Sequence, residues 1–318
     1  MRKISVFLLA VLFSVLTVFQ IFAAGPATGA LSQEGKERQT ISLSELPAAE
    51  SGFYDSYFTG ACFVGDSITQ GLQNYVLYQR QKEIPTLSDA KFFAATSYSL
   101  STAAGKFNAS WTNLKYQGKS IDIAEGLKLI APEKIFLMIG VNDLPCYNIE
   151  GNLKTYASLV NKIKTACPDS LLIIESCTPI TAKGQKKGLT NPGMDAFNKG
   201  LQEIAAQYGC GYADISASLK DGENALNRDY SSDNYVHLNN TGLSVWVQEL
   251  RKYARDQVIK GRWVPAELEG VIIDGIVPEV QPTPEPETLP ADEAAAEPET
   301  KHIGPNQSGS EKQNGAKQ

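Results

Sequence analysis

Ser67 follows the apolar run Ala61–Val64 through a tight Gly65-Asp66 turn and leads into Ile68-Thr69-Gln70-Gly71-Leu72. A serine so placed has its hydroxyl at a sheet edge and its own N–H at a helix N-terminus. That suits a nucleophile whose backbone donor also holds an oxyanion. Taken alone, the position is equally that of a helix-capping serine. Gly140-Val141-Asn142-Asp143 follows another apolar run: glycine lets the chain turn, and Asn142 can aim an amide N–H at developing negative charge. Asn-Asp after a strand is also ordinary turn chemistry. The third candidate is the polar loop Ser231-Ser232-Asp233-Asn234-Tyr235-Val236-His237-Leu238-Asn239, in which His237 has acid and amide neighbours, as a general base requires. His302 is the only other histidine and lies in an acidic, proline-rich stretch, so a catalytic histidine must be His237. Two histidines cannot build a multi-histidine metal site, and the absence of a Cys-x-x-Cys pair argues against structural zinc. No metal or cofactor is expected.

These residues need elements to hold them. Apolar runs recur at Ala61–Val64, Phe92–Ala95, Ile135–Ile139, Leu171–Ile174 and Tyr212–Ile215. Continuous rather than alternating apolar strands fit a sheet covered on both faces. Between them, Ile149–Ala166 and Met194–Tyr208 carry apolar residues at helical spacing, ending at Pro168 and Gly209 respectively, and a last helix is expected from about Thr241 to Gln257. Strand alternating with helix predicts an α/β fold with a doubly wound parallel five-stranded sheet. Ligands bind beyond the carboxyl ends of such strands. The polar residues just after each run, including Thr96-Ser97-Tyr98 and Thr178-Pro179, should therefore converge on one edge.

The 318 residues, 42% hydrophobic and 20% charged, exclude wholesale disorder. Arg2 and Lys3 precede the mostly apolar Ile4–Ala24, so residues 1–24 read as an export signal, or as an uncleaved anchor holding the chain to a membrane through residues 4–24. Residues 25–50 read as a spacer, 51–263 as one folded domain, and 264–318 as an acidic, proline-rich disordered tail, within which Val271-Ile272-Ile273 could add a short edge strand. Removing the seven acids of residues 279–299 from the net charge of −6 leaves +1. A nearly neutral body without a Lys/Arg cluster argues against nucleic acid as a partner. Five cysteines, Cys62, Cys146, Cys167, Cys177 and Cys210, read as buried free thiols with at most one disulfide.

Together, Phe63-Val64-Gly65-Asp66-Ser67-Ile68-Thr69-Gln70-Gly71, then Gly140-Val141-Asn142-Asp143, then His237-Leu238-Asn239 with Gly242, resemble the first, third and fifth blocks of the SGNH (GDSL) hydrolases. Order, spacing and strand context match across about residues 55–258. The resemblance implies a flavodoxin-like three-layer α/β/α fold and metal-free serine ester hydrolysis. In that reading Ser67 attacks an acyl carbonyl and His237 takes its proton, while the Ser67 N–H, the Asn142 side chain and a second-block donor hold the oxyanion. Two positions depart from the pattern. The second block, Ala95-Thr96-Ser97-Tyr98-Ser99, lacks the usual glycine, leaving the Ser97 N–H as candidate donor. The acid usually three residues before the histidine is here Asn234, with Asp233 one earlier. Either the loop lets Asp233 reach His237, or the enzyme works as a dyad. Asp66, Gly140 and Asn234 are further candidates for substrate contact.

Tyr98, Trp111, Tyr116, Tyr147 and Tyr235 are expected near the active edge, either as sugar-stacking faces or as ordinary packing residues. Export and a flexible tail favour an extracellular or cell-envelope polymer, and an O-acetylated polysaccharide is the expected substrate. An acyltransferase using the same site and a non-catalytic binding module on the same fold are the alternatives.

Overall fold

A computed structural model describes residues 38–105, 112–146 and 148–276. The expected signal or anchor at 1–24 and the part of the expected tail beyond residue 276 lie outside the described residues, as do Trp111 and Tyr147. Among the described residues, no helix is long and apolar enough to cross a membrane.

Residues Pro47–Trp263 contain the sheet. Its strands are β1 (Ala61–Gly65), β2 (Lys91–Ala94), β3 (Lys134–Met138), β4 (Leu171–Glu175) and β5 (Gly211–Ala213), all parallel. Their spatial order is β2-β1-β3-β4-β5, that of the flavodoxin-like doubly wound fold. The helices between them are α1 (Ser67–Gln81), α2 (Leu100–Ala103), α3 (Ile123–Ile130), α4 (Ile149–Ala166), α5 (Asn191–Gln207) and α6 (Asn240–Ile259). α3, α4 and α5 pack in a row, and α1 packs against α6. Right-handed crossovers place those two sets on opposite faces of the sheet.

The strands read as strands because both faces are covered. Every residue of β1 is buried, and Phe63 and Phe136 stack at 4.6 Å across β1 and β3. Strand positions agree with the sequence reading to within two residues at each end. α5 starts at Asn191, three residues before its apolar spacing suggests, because Thr190 caps it and Pro192 fits the first turn. Glu175, wholly buried at the end of β4, accepts a 2.8 Å hydrogen bond from Trp246 Nε1 and ties α6 to the sheet. Burial pushes its carboxyl up to about 8.

Two expectations need correction. The spacer and tail each contain regular structure: Thr40–Ser42 and Ile272–Asp274 pair in parallel as a separate two-stranded sheet. The second strand thus does not extend the five-stranded sheet. Thr40 and Ile41 on one side and Ile272 and Ile273 on the other supply the β-propensity. The five cysteines are all unpaired thiols, but Cys146 is exposed and Cys210 only partly buried, so the set is not a uniformly buried one.

Candidate active site

In the β2-β1-β3-β4-β5 order, the chain reverses direction of winding between β1 and β3, the switch point beyond which doubly wound sheets bind their ligands. Ser67 opens α1 immediately after β1, and Asn142 follows β3. Asp66 caps α1 by accepting the Ile68 N–H at 2.9 Å, which leaves the Ser67 hydroxyl free of capping duty. Its Oγ lies 3.0 Å from His237 Nε2.

The histidine comes from the loop before α6. Asn239 caps that helix by accepting the Thr241 and Gly242 N–H groups, which anchors His237 two residues upstream. The loop is closed by the Ser231–Leu238 bridge and by a 2.9 Å bond from the Ser232 N–H to the His237 carbonyl. Asp233 Oδ2 lies 2.5 Å from His237 Nδ1, while its Oδ1 accepts the N–H groups of Tyr235 and His237 at 2.8 and 3.2 Å. Asn234 has φ of 56°, a left-handed conformation that asparagine tolerates. That bend turns the chain so that the acid four residues before the histidine faces the ring. Partial burial pulls the Asp233 carboxyl up, but the hydrogen bonds from His237 and Tyr235 and the attraction of His237 outweigh it, holding it below its ordinary value. An ionised Asp233 accepts a hydrogen bond from Nδ1–H, which fixes the proton on that nitrogen and leaves Nε2 as acceptor for the Ser67 hydroxyl.

Asn142 donates both amide hydrogens, to Asp66 Oδ2 at 3.0 Å and to the Tyr98 carbonyl at 3.1 Å. The amide therefore braces the turn after β1 against the segment after β2, and one bond must open before it can face an oxyanion. Asp66 is fully buried, and burial raises its carboxyl to about 6 against the opposing bond from Ile68 and attraction of His237. Ser97 has φ of 55°, the conformation that glycine ordinarily supplies. The N–H groups of Ser67 and Ser97 donate to no backbone carbonyl in the surrounding turns. Gly140 has φ of 130°, and a Cβ there would come within 2.6 Å of the Phe197 ring on α5. Its part is the turn itself.

Two functional residues escaped sequence reading. Asp143, almost fully buried, accepts the Leu100 and Ser101 N–H groups at 2.7 and 3.1 Å and so pins α2 beside the site. Thr181 donates through Oγ1 to the Asn234 carbonyl at 2.7 Å and through its N–H to the Tyr235 carbonyl at 3.0 Å. Only the chance meeting of β4's exit with the histidine loop shows its role. Of the expected aromatics, Tyr98 is buried and presents no face to a ligand, Tyr116 sits in the small hairpin formed by Lys115–Tyr116 and Lys119–Ser120, and Tyr235 flanks the histidine loop half-exposed.

A doubly wound α/β domain with Ser, His and Asp in hydrogen-bonded sequence at its carboxyl edge has the arrangement of a serine hydrolase. The sequence profile of the GDSL-like lipase/acylhydrolase family matches residues 63–244, and the chain belongs to that family of carboxylic ester hydrolases. A search of curated proteins finds no match. Among solved structures the chain is similar to a GDSL-like lipase from Bacteroides thetaiotaomicron (TM-score 0.48, 14% identity, 66% of this chain and 99% of that one). It is also similar to an acetylxylan esterase from Geobacillus stearothermophilus (0.45, 17%, 61% and 93%). A third is a carbohydrate esterase family 3 structure from Talaromyces cellulolyticus (0.44, 15%, 64% and 97%).

Proposed function

We propose that the protein is an exported serine esterase that removes O-acetyl groups from carbohydrate or cell-envelope polymers through an acyl-Ser67 intermediate. The observation that carries the catalytic part is the unbroken relay from Ser67 Oγ to His237 Nε2 at 3.0 Å and from His237 Nδ1 to Asp233 Oδ2 at 2.5 Å. His237 takes the hydroxyl proton as Oγ bonds to the acyl carbon, and the carbonyl oxygen becomes an oxyanion facing the Ser67 and Ser97 N–H groups. Collapse breaks the ester C–O bond, and the departing alcohol takes the proton from His237. Water then gives a proton to His237 and attacks the acyl-serine; acetate leaves, and the proton returns to Ser67. Arg2, Lys3 and the apolar run Ile4–Ala24 support export, and the acidic, proline-rich stretch from residue 279 supports a spacer-like role at the cell surface.

The test is acetate release from acetylated polymers, with fluorophosphonate labelling in parallel. Ser67→Ala should abolish both while leaving the fold intact, because the hydroxyl is only half-buried and does not cap α1. Turnover or labelling that survives in the folded variant removes Ser67 as nucleophile. Acetyl transfer to an added sugar in preference to water would reassign the enzyme as a transferase.

A further inference from the structure

The segment between β4 and α5 packs against the histidine loop. Thr181 binds the carbonyls of Asn234 and Tyr235, as described above, and the next eight residues, Ala182-Lys183-Gly184-Gln185-Lys186-Lys187-Gly188-Leu189, form a tight loop. The loop is ordered by its own bonds. Lys186 and Leu189 exchange backbone hydrogen bonds at 3.0 and 2.9 Å, and Thr181 caps the turn Ala182–Gly184. At one end Lys186 Nζ stands 4.6 Å from the centre of the Tyr235 ring, two residues from His237. At the other, Gly188 sits so close to Pro145 that a Cβ would fall 3.1 Å from its Cα, three residues from Asn142. The loop therefore borders both the histidine loop and the loop after β3.

Lys183, Lys186 and Lys187 are all exposed, and none forms an ion pair among the described residues. Asp66 and Asp143 are buried on backbone N–H groups, Asp195 is paired with Lys220, and Asp233 holds His237, while Asp221 and Glu223 are exposed on the hairpin whose Leu226 N–H bonds the Ile180 carbonyl. Three lysines without an ion pair, one of them over the Tyr235 ring beside the histidine loop, raise the local concentration of an anionic ligand and orient it. A neutral glycan would gain nothing from them.

We propose that this lysine loop selects an acylated polymer carrying regularly spaced anionic groups, carboxylate or phosphate, near the ester. The inference rests on the esterase reading for its reaction but not for its binding. Acetate release is measured on acetylated xylan as the neutral polymer, on acetylated polygalacturonate as the carboxylate polymer, and on acetylated poly(glycerol phosphate) as the phosphate polymer, each at low and high salt. The wild type should favour one anionic polymer over xylan in kcat/KM by about tenfold at low salt, with the preference collapsing at high salt. The anionic polymer that shows it identifies the group. In the Lys183→Gln, Lys186→Gln, Lys187→Gln triple variant that ratio should fall to near one, with an unchanged unfolding temperature. A ratio that does not respond to the substitutions, or a preference indifferent to salt, overturns the proposal. Calorimetric binding of unacetylated polygalacturonate and poly(glycerol phosphate) to Ser67→Ala, with and without the three substitutions, tests the loop separately. Binding that needs the lysines without any acetate release would sink the esterase reading alone. Equal binding with and without them would sink the lysine proposal alone.

Discussion

The proposed nucleophile and its proposed base are held by two different kinds of structure. Ser67 stands at a strand–turn–helix corner whose backbone bonds belong to β1 and α1, and whose supporting acid, Asp66, is fully buried. His237 and Asp233 stand on an irregular loop, 41% and 35% exposed, held by side-chain bonds to backbone and by Thr181 from a neighbouring segment. Regular secondary structure spreads its stability over many bonds, whereas such a loop depends on a few. A change near the corner should thus be felt as stability of the whole domain, and a change near the loop as misplacement of the imidazole. The chemistry itself depends on the loop's acid.

The sharpest way to break this contrast is at that acid. Asp233→Ala removes the group that sets the His237 tautomer and stabilises imidazolium; in the worked serine-protease example, losing the equivalent function costs about 10⁴ in kcat. We expect a fall of about 10³–10⁴ here, and less than about tenfold for Asn234→Ala, whose contact with Thr181 is through its backbone carbonyl. Equal losses in folded variants would show that the 2.5 Å contact is incidental and the site a dyad.

A stability effect comes next, on the corner's side. Gly140→Ala forces a side chain onto the Phe197 ring at a φ of 130°, and should destabilise the domain by about 2–3 kcal/mol, read as a melting temperature roughly 5–10 °C lower. An unchanged melting temperature would mean that the turn after β3 relaxes freely.

Asp66→Asn tests the corner's acid, with an expected loss of about 30-fold in kcat, since one bond to Ile68 or Asn142 must be given up. It also separates the two acids by sign. Asp66 is raised to about 6 in the fold, so the native state holds its proton more tightly, and stability drains away as pH climbs from about 4 to 6. Asp233 is lowered, so its contribution is present above the ordinary carboxylate range and is lost as pH falls through its depressed native value. Melting curves across that range should decline less steeply in Asp66→Asn, the remaining slope belonging to the raised carboxyls of Glu175 and Asp143, and should keep the wild-type decline in Asp233→Asn; the reverse would exchange the roles of the two acids.

The smallest effect is expected at Thr181→Val, which removes one hydrogen bond to Asn234 while the backbone bond to Tyr235 remains. About a fivefold loss in kcat, with labelling of Ser67 retained, would fit a positioning role. A wild-type pH–rate profile and rate would show that the histidine loop stands without its neighbour.

Much of the site was legible because its signals are local. The corner around Ser67 needs an apolar strand, a tight turn and a helix start, all contiguous in Phe63–Gly71. Asn239 before an apolar-striped segment announces α6 and so locates His237. The partners were not legible. Asn142 could be read only as an amide near an edge, and its bonds to Asp66 and the Tyr98 carbonyl join segments 76 and 44 residues apart. Thr181 meets Asn234 across 53 residues with no motif at either end.

The pairing of two short strands at the margins was hidden for the same reason. Thr40–Ser42 and Ile272–Asp274 are three residues each, embedded in compositions that read as spacer and tail. By itself the sequence determined the alternation of buried strands and helices, the order of the sheet's chemistry-bearing loops and the candidates for nucleophile and base, because burial on both faces and helix capping are written in neighbouring residues. Only the tertiary structure decided which acid reaches His237, that Asn142 spends its amide on bracing, and that Lys186 lies over the Tyr235 ring beside the histidine loop. Each depends on a loop bend or on the meeting of distant segments. Such meetings are set by packing of the whole sheet rather than by local residue preference.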